Sequence, residues 1–236
     1  MLGLFGKIFI QWILIILGSV SFLHAESPYL LFTTIQGSIN SKPCIEILSQ
    51  AYKQINIQFQ VKYYPAERSL VTANKGTSDG EIQRIAGVDK IYSNLVMIPQ
   101  PIGQLEGCAF VKDIRLPKNA GWNDLRPYRI GILRGAKFSE EATSVMERVL
   151  SYDYESLFHL LNEGRIDVVV VARLTGMLEL KKGNYKGITI IKPPLVELPL
   201  FHYVHKRHQN LVRPLSEVLY QMQKQGKIQA IWNDFY

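Results

Sequence analysis

The chain has 236 residues, 47% of them apolar and 20% charged, with 27 Lys and Arg against 20 Asp and Glu and two cysteines. These proportions exclude a disordered chain, a collagen-like repeat and a disulfide-dense mini-protein. The length suffices for one large domain or two small ones, with cores that need no metal or disulfide staple.

The first 25 residues carry one charge, Lys7, then the apolar run Ile8–Leu17, and they end on Ala25 before Glu26. A basic start, an apolar stretch of about 10 residues and a small residue before a polar change describe a cleaved secretory signal peptide, residues 1–25. An uncleaved anchor is the alternative, since Leu23 is larger than the usual small residue at that place. The pattern implies an exported protein. Without Lys7 the remainder has 26 basic and 20 acidic residues, a net charge of +6. Export also puts Cys44 and Cys108 in an oxidising space where they could pair, although two buried small apolar residues are the simpler reading.

From Glu26 onward the apolar period alternates. A strand is predicted at Tyr29–Ile35, then a helix with Cys44, Ile47, Leu48, Ala51, Tyr52 and Ile55 on one face. Ile57, Phe59, Val61 and Tyr63 alternate with polar residues as a strand with one buried face, and Pro65 opens a helix that Gly76 closes. Strands follow at Asp79–Ile85, Leu95–Ile98 and Gly107–Lys112. A second unit brings a strand at Tyr128–Leu133, a helix at Ser139–Leu150, a helix at Tyr154–Leu161 ended by Gly164, and the strand Ile166–Ala172. Its run of four valines is what a strand buried on both faces requires. A helix to Lys181, strands at Ile188–Ile191 and Leu200–Val204, and two helical segments complete the chain. Alternating β and α elements imply an α/β fold with mostly parallel sheets flanked by helices. The simplest packing returns the C-terminal tail to the first unit, giving two lobes joined by two crossing segments, near Gly107–Lys112 and Glu197–Val204. Lobe 1 is then 26–110 plus 201–236, lobe 2 is 111–200, and a cleft lies between them.

The ordered series Ala66-Glu67-Arg68, Ala73-Asn74-Lys75-Gly76, Asp79-Gly80-Glu81, Gly131-Ile132-Leu133-Arg134-Gly135 and Leu160-Leu161-Asn162-Glu163-Gly164-Arg165-Ile166-Asp167 spans essentially the whole chain after residue 25. It resembles the family 3 extracellular solute-binding proteins, the periplasmic components of amino-acid-type ABC transporters. The resemblance implies the two-lobed periplasmic binding protein type II fold, no catalysis, no cofactor, a small-molecule ligand, and an inner-membrane permease as partner, with a sensor receptor as the alternative. It also implies a monomer. In the family an Arg holds the ligand carboxylate, amides at a helix start hold an anion, and an Asp holds the ammonium while the lobes close by a hinge motion. Gly135 matches the glycine of the helix-start loop. Where family members carry a Thr-Pro-Glu-Arg stretch this chain reads Gly87-Val88-Asp89-Lys90-Ile91-Tyr92, and where they place the Asp it has Ala172.

The chain offers cations and aromatics instead. Tyr64, Arg68, Glu81, Arg84, Arg134, Gly135, Lys137 and Arg173 are the expected ligand-binding residues, and a carboxylate-bearing ligand follows if two of the cations point inward. Asp79 and Asp167 read as structural. His202, His205 and His208 are three apart, so on a strand they face opposite ways and hold no metal. No nucleophile motif or phosphate loop is present, and the scattered basic residues give no nucleic-acid surface.

Overall fold

The computed structural model describes residues 29–235, so the segment read as a signal peptide lies outside the described residues. Strand β1 (Leu30–Ile35) leads into helix α1 (Ser41–Gln54), β2 (Phe59–Tyr64), α2 (Ala66–Asn74), β3 (Gly80–Ile85), the short α3 (Val88–Ile91) and the long strand β4 (Leu95–Lys112). Then come β5 (Ile130–Leu133), α4 (Lys137–Ala142), β6 (Arg148–Ser151), α5 (Tyr154–Asn162), β7 (Val168–Ala172), α6 (Arg173–Gly183), β8 (Ile188–Ile190), β9 (Val196–His205), α7 (Val212–Lys224) and α8 (Lys227–Asn233).

The strands lie in the order β2-β1-β3-β9-β4-β7-β5-β6, with β8 beside β4. Two parallel trios, β2-β1-β3 and β7-β5-β6, are joined through the antiparallel pair β9 and β4. Each trio has its own core. Phe32, Ile47, Tyr52 and Ile82 pack with Leu215, Leu219 and Trp232, so the C-terminal helices do return to the first unit. Phe110, Leu157, Phe158, Val169 and Val171 form a second core. All five residues of β7 are buried, as a strand covered on both faces demands. Cys44 and Cys108 sit in different cores as free thiols, not as a disulfide, and burial pushes both thiols up, Cys108 to about 12.

Two expectations change. The separate strands Leu95–Ile98 and Gly107–Lys112 are one 18-residue strand, whose pairing with β9 runs from Leu95–His205 to Gly107–Val196 through register shifts around Pro101. The expected helix Ser139–Leu150 stops at Ala142, and its second half is β6, which pairs in parallel with β5 from Ile130–Arg148 to Leu133–Ser151. Long-range pairing at the sheet edge outweighs a local pattern that fits either period.

Candidate functional site

The ends of β1 and β3 and the start of α2 face the β5–α4 loop, Tyr154 and the end of β7 across a cleft. At its floor is a cavity of about 50 Å³, room for a few waters, walled by apolar side chains such as Ile85, Leu105, Leu133 and Phe138. Ala172, 7% exposed, lines it where the resemblance places an Asp. Tyr154 also borders a wider, open depression of about 560 Å³ that includes Gln36, Tyr152, His159, Glu179 and Tyr185.

Arg84 and Glu81 are both buried and pair at 2.8 Å. Residues three apart on a regular strand point to opposite faces, but the ladder between β3 and β9 shifts register between Glu81 and Arg84, which brings them together. Thr33 and Ser69 donate to the other Glu81 oxygen, at 2.8 and 2.5 Å. Burial nevertheless pushes the Glu81 carboxyl above its ordinary range, with Arg84 and the hydroxyls pulling the other way. Arg84 further donates to the Ala66 carbonyl at 2.8 Å and, across the cleft, to the Gly135 carbonyl at 3.3 Å. It therefore carries structural bonds as well as facing the cavity.

Lys137 stands on the other wall, its side chain 13% exposed, and bridges Glu67 at 2.7 Å across the cleft and Glu140 at 2.8 Å on its own helix. The Tyr92 hydroxyl donates to Glu67 at 2.5 Å, and the Lys137 ammonium lies 5.6 Å from the Tyr92 ring centre. Burial opposes the charge on Glu67, but bonds from Lys137 and Tyr92 outweigh it and hold the carboxyl below its usual range. Burial likewise opposes the Lys137 charge, and the bonds to Glu140 and Glu67 overcome it and hold the ammonium above its ordinary value. The Gly135 N–H, which the resemblance gives to a ligand anion, donates to Glu140 at 2.7 Å. Gly135 has φ +87, and a Cβ there would collide with the Glu67 backbone nitrogen. Only a glycine lets the two walls approach this closely.

The other expected residues lie apart from this pair of clusters. Arg68 is exposed and stacks 4.9 Å over the Tyr64 ring. Arg134 lies 5.2 Å over Tyr152, and its Nε is buried with no hydrogen-bond partner among the described residues. Arg173 pairs with Glu106 at 2.9 Å beside the β4–β9 crossing. Asp79 accepts the Leu31 N–H at 2.7 Å and binds Arg207 and His208, and Asp167 binds Arg129. His202 is fully buried between the Tyr52 hydroxyl and the Glu81 and Ile82 carbonyls, while His205 and His208 lie near Asp79. Residues the sequence reading did not single out also span the cleft: Thr175 accepts from the Ile39 N–H at 3.3 Å and donates to Asn40 at 3.4 Å. Glu67 and Tyr92 are further omissions. The Thr175 hydroxyl and the Glu67 carboxylate on helices, and the Tyr92 hydroxyl just past the end of α3, carry no pattern that marks them in a single sequence.

No protein-family model matches the chain. An uncharacterized protein of Shewanella oneidensis is 26% identical over 189 residues, covering 76% of this chain and 70% of its own. Among solved structures, a histidine kinase sensor domain with similarity to periplasmic binding proteins superposes with a TM-score of 0.74 at 16% identity, over 88% of this chain and 95% of its own. The arginine-, lysine-, histidine-binding protein ArtJ of Geobacillus stearothermophilus gives 0.74 at 16% identity, over 89% and 95%. The ligand-binding core of GluR0, solved with L-glutamate, gives 0.75 at 8% identity, over 89% and 99%. Two parallel-sheet units, each with its own core, joined by a pair of crossing strands around a cleft, make this chain a two-lobed α/β protein of the periplasmic binding protein type II fold.

Proposed function

We propose that the chain is a periplasmic solute-binding protein, exported by a cleaved signal peptide and acting as a monomer without catalysis. It captures a small, carboxylate-bearing ligand, an amino acid or related molecule, between two closing lobes. The lobes divide as 26–110 plus 201–236 and 111–200, joined by the two crossing segments near Gly107–Lys112 and Glu197–Val204, which belong to the strands β4 and β9 that pair from Leu95–His205 to Gly107–Val196. The observation that carries this reading is the cleft itself, an apolar floor with Lys137 and Arg84 on opposite walls. Solved neighbours of this fold named as amino-acid ABC transporter binding proteins support an ABC permease as partner. The sensor reading keeps a specific support as well, since a histidine kinase sensor domain is among the neighbours.

A thermal-shift screen of amino acids, dicarboxylates and short peptides tests the proposal. A ligand at a hundred times its Kd adds about 2.7 kcal/mol of stability, so a true ligand raises the melting midpoint clearly. With uncharged sugars and amides added to the screen as controls, a result in which carboxylate-bearing compounds shift nothing and uncharged ones do would overturn the ligand class.

A further inference from the structure

Arg84 and Lys137, the cations on the two cleft walls, are already matched by carboxylates of the chain, but the matches differ in kind. Glu81 is fully buried on the same strand as Arg84 and is held by Thr33 and Ser69, so it stays with Arg84 however the lobes move. Glu140 lies on the same helix as Lys137 and accepts the Gly135 N–H, so it travels with Lys137. Glu67 reaches Lys137 from the opposite wall, and its side chain is 36% exposed. When the lobes part, Lys137 loses one of its two carboxylates and Glu67 keeps the Tyr92 hydroxyl.

We infer that Glu67 is a resident competitor for the solute's carboxylate: it latches the lobes through Lys137, and the solute's carboxylate takes its place on that ammonium. The inference rests on the solute-binding reading proposed above for the ligand, and on the geometry of the Glu67–Lys137 pair for the latch. Lys137 is suited to the exchange because the carboxylate that stays with it leaves ammonium donors to spare. Arg84 is not, because releasing it would strand a buried Glu81.

The test uses the full chain and the variants Glu67→Gln and Lys137→Met. Small-angle scattering without added solute reads the latch. Each single variant should lower the ratio of closed to open molecules by roughly threefold to tenfold, the range of a half-exposed ion pair, and enlarge the radius of gyration. An unchanged radius in both single variants overturns the latch. Calorimetry with acetate, succinate and L-glutamine reads the competition. Glu67→Gln should bind at least one of them several-fold more tightly than the parent, and Lys137→Met should lose that binding. Equal affinity in all three proteins overturns the competitor role. If none of the three compounds binds any variant while the scattering change stands, the carboxylate-ligand reading fails and the latch survives, so the two failures are distinguishable.

Discussion

Replacing Gly135 by Ala probes the contact on which the proposed closure depends. The added Cβ would collide with the Glu67 nitrogen and lie 2.7 Å from the Ala66 carbonyl carbon, backbone atoms that cannot swing aside. Reaching an ordinary contact with that carbon alone requires the walls to separate by about 0.7 Å, the difference between 2.7 Å and the 3.4 Å at which normal packing begins, and clearing the nearer Glu67 nitrogen requires more. Such a shift lengthens the bond from Arg84 to the Gly135 carbonyl, already 3.3 Å, and the Lys137–Glu67 bridge at 2.7 Å. Losing one charged hydrogen bond costs about 2 kcal/mol, which corresponds to a fall of about thirtyfold in the closed population. The positive φ adds about 1–2 kcal/mol in open and closed states alike, lowering the melting midpoint by about 3–6 °C. Gly164→Ala separates the two effects, because Gly164 also has a positive φ of 67 and nothing lies within 4 Å of where its Cβ would stand. Scattering and thermal melting should show Gly135→Ala expanded and less stable, and Gly164→Ala less stable but as compact as the parent. Equal compaction of all three proteins would refute the reasoning.

Arg84→Met leaves the buried Glu81 unpaired and should cost about 3–5 kcal/mol of stability in denaturant unfolding, with Arg84→Met/Glu81→Met recovering most of it. A single variant within about 1 kcal/mol of the parent, a margin at the scale of an exposed ion pair, would show the pair to be solvated. His202 is held neutral, burial pushing its imidazole down to about 4 from 6.5. A depressed value means that its contribution is complete above pH 6.5 and is lost as pH falls toward 4, a loss of about 3 kcal/mol in all. Urea unfolding at several pH values should therefore show a steeper acid loss for the parent than for His202→Gln, and parallel curves would contradict the assignment.

The fold was legible where the signal is local. The valine run of β7 and the Cys44, Ile47, Leu48, Ala51, Tyr52 face of α1 lie where their periods place them, buried. The continuous β4 was not, because Pro99 and Pro101 read as breaks and only pairing with β9 carries the strand through them. Nor was β6, since Val149 and Leu150 gain a strand neighbour from β5 that no local pattern contains. At the cleft, the residue types were visible and their partners were not. Sequence leaves Glu81 and Asp79 as alternative partners for Arg84 or Arg68 until the shift in the β3 ladder turns Arg84 onto Glu81, and Lys137 reads as a loop-end lysine until Glu67, 70 positions earlier, meets it.

The proposed function depends on lobes that open and close around a solute, and a distance measurement between them is its most direct test. Cysteines introduced at exposed Lys75 and Glu163, one on each lobe, can carry spin labels while Cys44 and Cys108 stay buried and unreactive. Pulsed electron resonance should resolve a distribution with a long and a short component, and a compound that raises the melting midpoint should shift it to the short one. A single distance that such a compound leaves unmoved would contradict the account.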